Sequence, residues 1–404
     1  MKVYLDNSAT TMVLEEVARE MKPYFVKNYA NPSSLHYRGI EAENSLNIAR
    51  EKFAKFINAE AGEIVFTGSA TEANNIAIFG AAFAEKEKGK NHLITSPIEH
   101  SSVINPMKRL EKMGFNLTIL HVDNEGFVDL KELENSISEK TCLVSIIHAN
   151  HEIGTIQDIK EIAKICHSKG TLFHTDTAQG FTKTDFDVKK QNIDLATFNG
   201  HKIHGPKGVG ALFIKKGLKL EKFFDGGPQE FNIRPGTENL AGIFGFVKAA
   251  EIALKEMEKN TKKISELRNR LVKELLKIPH TYLNGPKIES KKRLPNNANI
   301  RFAFVEGEAI LMDLSMSGIC VSTGSACSSK SLTPSHVLTS IGLTHEQAHG
   351  SIRFSLSKFN TEKEIDFTAK ETKKAIERLR KISSVKEEGG KSFYKEKKEE
   401  ILSE

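Results

Sequence analysis

The stretch EIVFTGSATEANNIAIFGAAFAEKEK, residues 63–88, starts as a short β-rich run, passes through the small residues Gly68 and Ser69, and continues as a helical pattern. Strand, turn and helix in that order is the repeating unit of an α/β domain. The unit recurs downstream. HLITSP leads into SSVINPMKRLEKMG, then NLTILHV and CLVSIIHAN follow, then helix IKEIAKICHSKG and the strands TLFHTDTA, IDLATFNG and GVGALFI. Strands separated by helices of this length predict a mostly parallel sheet covered on both faces, with ligands at the carboxyl ends of the strands.

Residues 239–278 read as one long helical segment, apolar in its first half and strongly charged in its second. That shift marks the chain leaving a large domain, placed at residues 1–250, whose N-terminal segment is free to pack on the smaller unit. NNANIRFAF, the strand SGICVST, HGSIRFSL and the helical TEKEIDFTAKETKKAIERLRKI then make a smaller α+β domain, residues 251–385. Residues 386–404 form a charged tail, read as mobile.

The chain has 404 residues, 39% hydrophobic and 27% charged, which fits an ordinary globular protein. Its net charge of +6 comes from 58 Lys+Arg against 52 Asp+Glu, and no basic motif is interleaved with aromatics. Nucleic acid is therefore not expected as a partner. No apolar run approaches a membrane span, and four scattered cysteines make neither a disulfide framework nor a zinc site. A reducing cytoplasm is the expected location. Cys142, Cys166 and Cys320 lie in apolar runs and read as buried structural thiols, whereas Cys327 sits in STGSACSS with no His, Asp or Arg beside it.

The strand ends carry the chemistry. FTGSATEANN, residues 66–75, is either a capped turn or a helix start that holds an anion such as phosphate. Asp176, ending TLFHTD, is either a helix cap or a partner for a protonated ring nitrogen. Lys202, in FNGHKIHGPKGVGALFI, lies in a glycine-rich turn between two strands beside His201, where desolvation equips an amine to condense with an aldehyde. With His100 in SPIEHSS at another strand end, these are the parts of a pyridoxal phosphate site.

In YLDNSATT, NPSSLH, ATEANN, EHSSV, NHEIGT, HTDTAQ, GHKIHGPKGVGALF, RPGTEN, LPNNANIRF, STGSACSS, PSHVL and GSIRFSL the chain resembles the cysteine desulfurases of the NifS/IscS type, within the class V aminotransferases. The resemblance implies a seven-stranded α/β sheet of the aspartate aminotransferase kind, fold type I, and pyridoxal 5'-phosphate as cofactor. Lys202 would hold the cofactor, Asp176 would face its ring nitrogen, and His100 would stack on it and move protons. Ala70, Thr71, Gln179 and His201 would contact its phosphate or phenolic oxygen, and Thr237 would reach the phosphate of a neighbouring subunit in a homodimer. Arg353 would clamp the substrate carboxylate, helped by Asn31. L-Cysteine would lose its sulfur to Cys327 as a persulfide, leaving alanine, and the sulfur would pass to an iron–sulfur scaffold or a tRNA-thiolation relay.

Three departures touch that site. His151 replaces an amide beside the phenolic oxygen, which makes its charge sensitive to pH. Asn199 stands for a usual serine, and Pro235 alters the loop before Thr237. Rival readings are a selenocysteine lyase, which needs no Cys327, another class V aminotransferase-like enzyme, and a scaffold that has lost activity. His345-Glu346-Gln347-Ala348-His349 matches the HExxH zinc pattern, on a helix of about two turns with no evident third ligand.

Overall fold

The computed structural model describes residues 1–324 and 334–383, so Cys327 and the tail from residue 386 lie outside the described residues. The strands in chain order are β1 (Val3–Tyr4), β2 (Ile64–Thr67), β3 (His92–Thr95), β4 (Asn116–Ile119), β5 (Thr141–Ser145), β6 (Leu172–Asp176), β7 (Leu195–Asn199), β8 (Gly210–Ile214), β9 (Thr281–Asn284), β10 (Asn297–Phe302), β11 (Ile319–Cys320) and β12 (Ser351–Ser355). Seven of them form the central sheet in the order β2-β8-β7-β6-β5-β3-β4. Only β8 runs against its neighbours, so β2, β7, β6, β5, β3 and β4 present their carboxyl ends at one edge.

Alternation along each strand divides the apolar residues between two faces. Val65, Leu93, Leu195 and Leu212 join one buried cluster with the helices Ala70–Lys86 and Ser101–Lys112. Phe66, Ile94, Ala196 and Phe213 join the other, packed by Phe53 of helix Tyr37–Phe56 and Phe246 of helix Leu240–Lys255. A third cluster holds the α+β unit together, with Ile300, Phe302, Ile352 and Phe354 of the β12-β10-β9 sheet under the helices Met257–Leu275 and Glu362–Ile382. Val3 and Leu5 belong to this cluster because β1 pairs with β11.

The structure corrects the reading of residues 239–278 as one helix. It breaks at Glu256 (φ −99°, ψ 2°), whose carboxylate accepts from Lys358 and Asn260, giving the helices Leu240–Lys255 and Met257–Leu275. SGICVST supplies only a two-residue strand, and Cys320 on it is exposed, against the buried thiol expected there; Cys142 and Cys166 are buried. The HExxH helix, Thr344-capped, spans only His345–His349. Helices Glu15–Val26, Tyr37–Phe56 and Leu130–Ser136 stand where the sequence patterning named no element.

Next to the edge strand β2, Glu230, Phe231 and Asn232 take φ of 46°, 57° and 64°, three consecutive side-chain-bearing residues in the left-handed region. Such residues cost roughly 1–2 kcal/mol each. A buried ion pair holds them: Arg50 Nη1 and Nη2 each donate to the Glu230 carboxylate at 2.7 Å, and the Phe66 amide donates to it at 2.7 Å. Removing one partner leaves a buried charge, so Glu230→Ala should cost about 3–5 kcal/mol in urea unfolding. Arg50→Met combined with Glu230→Met should recover much of that loss; a Glu230→Ala protein as stable as the parent would show that the pair does not hold the turn.

Candidate active site

Register sets the site. Asn199 at the end of β7 and Thr67 at the end of β2 both pair with Gly210, and Asp176 at the end of β6 pairs with Thr197. A Cβ on Gly210 would lie 2.6 Å from the Phe198 carbonyl oxygen and 2.9 Å from the Ser69 carbonyl carbon. Glycine there lets the start of helix Ala70–Lys86 close on the turn that carries Lys202. Ser69 caps this helix by accepting from the Glu72 amide, and Glu72 in turn accepts from the Gly68 amide at 2.7 Å. Among the described residues no hydrogen bond uses the amides of Ala70 and Thr71.

Asp176 is buried and accepts from Asn74 Nδ2 at 2.8 Å and from the Ala178 amide at 2.9 Å. The other Asn74 N–H donates to Ser102 Oγ at 2.8 Å, and Ser102 Oγ lies 2.7 Å from His100 Nδ1. Because the Ser102 amide also donates to Nδ1, the His100 ring proton sits on Nε2. Asp176, Asn74, Ser102 and His100 thus form one chain across three strand ends. Asn74 and Ser102 lie inside motifs quoted above, yet neither had been given a role, since their polar atoms matter only through partners distant in sequence.

His151 stands edge-on to His100, with ring centroids 5.5 Å apart. Burial, then the neighbouring His100 and Lys202, holds its pKa well below the ordinary value, so it stays neutral. This corrects the expectation of a pH-sensitive charge. Burial followed by the Lys202 charge likewise lowers His100, and holds His201 down to about 4. The same cation therefore acts on all three imidazoles. His201 Nδ1 lies 3.2 Å from Thr10 Oγ1.

Gln179 spends its Nε2 on the Ser8 carbonyl at 3.0 Å, and among the described residues its buried Oε1 has no hydrogen-bond partner. Nor do the buried Asn199 Oδ1 and His151 Nε2, the latter lying 3.7 Å from Glu152 Oε1. Lys183 was not foreseen: it donates to the Gln179 carbonyl at 3.1 Å, and burial followed by the Lys202 charge lowers its pKa to about 7. It lines, with Lys202, His204 and Asn296, a cavity of about 70 Å³ at the junction of the two units.

Arg353, on β12, is fully buried; its Nη2 pairs with Asp6 at 2.9 Å and its Nη1 reaches the His151 carbonyl at 3.5 Å. The backbone of Arg353 exchanges hydrogen bonds with Ser322, and Ser335 donates to the buried Glu152 carboxylate at 2.5 Å. Gly324 lies against the same carboxylate, so both flanks of the segment holding Cys327 are fixed near His151. Two expected residues are exposed in the single chain: Asn31, which accepts from the Ser33 amide, and Thr237, beyond the Arg50–Glu230 turn.

Imidazoles held neutral by burial give the fold an acid limit. His148, His174, His201 and His204 all sit at about 4 in the folded chain, against 6.5 when unfolded. The unfolded chain therefore binds more protons between those values, and the stability they contribute is present above 6.5 and lost as pH falls toward 4. Glu99, pushed up to about 8 by burial, opposes this with a single proton. The melting temperature should fall steeply from pH 6.5 to 4.5 with net proton uptake on unfolding; calorimetry in buffers of different ionisation enthalpy that shows no uptake would contradict this.

Known proteins resemble the chain over nearly its whole length. The aminotransferase class-V family profile matches residues 3–367. A cysteine desulfurase IscS from Clostridium botulinum strain Hall is 49% identical over 400 residues, 99% of each chain. Among solved structures, a NifS-like protein superposes with a TM-score of 0.87 at 39% identity, covering 94% of this chain and 100% of its own. A structure titled SspA in complex with cysteine superposes with a TM-score of 0.77 at 35% identity, covering 89% of this chain and 100% of its own. The chain belongs to the aminotransferase class-V family, among the cysteine desulfurases of the IscS type.

Proposed function

We propose that the protein is a pyridoxal phosphate-dependent cysteine desulfurase that moves the sulfur of L-cysteine onto Cys327 and releases L-alanine. The observation that carries this reading is Lys202 set among His100, His151 and His201, with the Arg353 guanidinium reaching the His151 carbonyl from the other unit. The solved relative with bound cysteine supports the choice of substrate.

The residues fit the cofactor. An Asp on strand β6, a lysine turn, two unused amides at a helix start and the orphaned polar atoms of His151, Gln179 and Asn199 match a group with a ring nitrogen, an aldehyde, a phosphate and a phenolic oxygen. Lys202 would be its point of attachment, Asp176 would face its ring nitrogen, and Ala70, Thr71 and His201 would serve its phosphate. Gln179, Asn199 and His151 would meet its oxygen. When bound, pyridoxal phosphate supplies the electron sink that makes the Cα proton and then the carbon–sulfur bond of the substrate labile.

The chain's own groups do the rest. Lys202 Nζ moves the Cα proton as general base. His100 carries a proton on Nε2 and is held by Ser102, ready to pass it. Arg353 fixes the substrate through its carboxylate, with Asn31 assisting. Cys327 sulfur attacks the substrate sulfur, so that cysteine and a thiol become alanine and a persulfide with no further oxidant. We read the enzyme as a cytoplasmic homodimer in which Thr237 serves the partner's phosphate group, and its sulfur as destined for an iron–sulfur scaffold or tRNA thiolation.

Holoenzyme treated with L-cysteine should gain one sulfur atom on the peptide containing Cys327, detected by intact mass and peptide mapping. Cys327→Ser should gain none and should stop releasing alanine. Release of alanine by Cys327→Ser at the parent rate would overturn this reading in favour of a lyase.

A further inference from the structure

A guanidinium has five N–H donors, and carboxylate recognition depends on which of them are presented together. In Arg353 one bond is short, Nη2 to Asp6 Oδ1 at 2.9 Å, and the Nη1 contact to the His151 carbonyl is long at 3.5 Å. Among the described residues the buried Nε has no hydrogen-bond partner. The Arg353 side chain is 1% exposed and that of Asp6 is 19% exposed, so the acid reaches the buried cation from the outer side.

Both ends of this contact stand on fixed backbone. The Leu5 amide donates to the Cys320 carbonyl at 2.9 Å, the Asn7 amide to the Ser355 carbonyl at 3.1 Å, and the Ser355 amide to the Leu5 carbonyl at 2.7 Å. Asp6 itself bridges to Ser355. On the other side, the Arg353 amide donates to the Ser322 carbonyl at 2.7 Å, and the Arg353 carbonyl accepts from the Ser322 amide at 3.2 Å. A carboxylate on such a base restricts the rotation of the guanidinium about its long side chain. It claims one hydrogen of Nη2 and leaves the Nε donor unspent.

We propose that Asp6 is a positioning residue that orients Arg353 so that its unclaimed donors meet the α-carboxylate of the substrate. This rests on the desulfurase reading and deepens it: the segment just after the first strand sets the selectivity for amino acids over simple amines. A second possibility, that Asp6 competes with the substrate for Arg353, predicts the opposite sign of effect.

The test uses purified holoenzyme. Asp6→Ala should raise the KM for L-cysteine and the Kd for L-alanine about tenfold, with kcat within about threefold of the parent. The inhibition constant of cysteamine, which keeps the thiol and amine but lacks the carboxylate, should not move. Asp6→Asn, which retains Oδ1 as an acceptor, should recover most of the loss. An unchanged or lower KM in Asp6→Ala, or an equal weakening of cysteamine, would overturn the proposal. If Asp6→Ala does not fold, Asp6→Glu, which shifts the acceptor by one methylene, gives the same comparison. A parent enzyme that binds L-alanine but makes none from L-cysteine would instead overturn the desulfurase reading, and the alanine affinities would still decide the role of Asp6.

Discussion

Asn297 is wholly buried, and its carboxamide is where the two units of the chain are joined. Its Nδ2 donates to the Glu152 carbonyl at 2.9 Å and reaches the His151 carbonyl at 3.4 Å, while its Oδ1 accepts from Arg293 Nη2 at 3.2 Å. A Cβ on Gly154 would come within 2.7 Å of that oxygen, so the loop after β5 has to be bare of side chain there. Buried polar atoms this completely used fix one relative placement, because any shift strands donors away from water. His151 belongs to the large sheet and Arg353 to the small one. Asn297 sits on β10, whose register sets Asn299 opposite Arg353, and so transmits the position of one to the other.

Around that joint the site is built from two kinds of group. The Asp176, Asn74, Ser102 and His100 chain is a polar network closed by its own bonds. The atoms left over, His151 Nε2, Gln179 Oε1 and Asn199 Oδ1, are buried with no hydrogen-bond partner among the described residues. Native structures rarely strand such atoms unless a ligand meets them. The division is physically sensible: one set is rigid before any ligand arrives, and the other is what the ligand completes.

The central sheet was legible because its information is local. Apolar runs such as IVFT and LATFN, separated by capped helices, identify buried strands, and small polar residues at their ends mark the ligand edge. Lys202, Asp176, His100 and Arg353 were legible through motifs. What escaped depends on partners far along the chain. The break at Glu256 is made by Lys358, the exposure of Cys320 by a two-residue strand at the surface, and the neutrality of His151 by burial from both units. Asp6 and Lys183 carry no local pattern that distinguishes them from solvated charges. Their significance comes only from what folding brings beside them.

The pairing of β1 with β11 also bears on how the molecule comes into being on the ribosome. β1 pairs with Ile319 and Cys320, and Asn7 just beyond it donates to Ser355, 348 positions away, so the first strand has no partner until most of the chain has emerged. The central sheet is complete once Ile214 has been made, and it can collapse while the N-terminal strand still waits. Closure by such distant residues is entropically slow, and it comes last. A nascent chain therefore assembles the Lys202 edge early and gains Asp6 beside Arg353 only after the small sheet has been made.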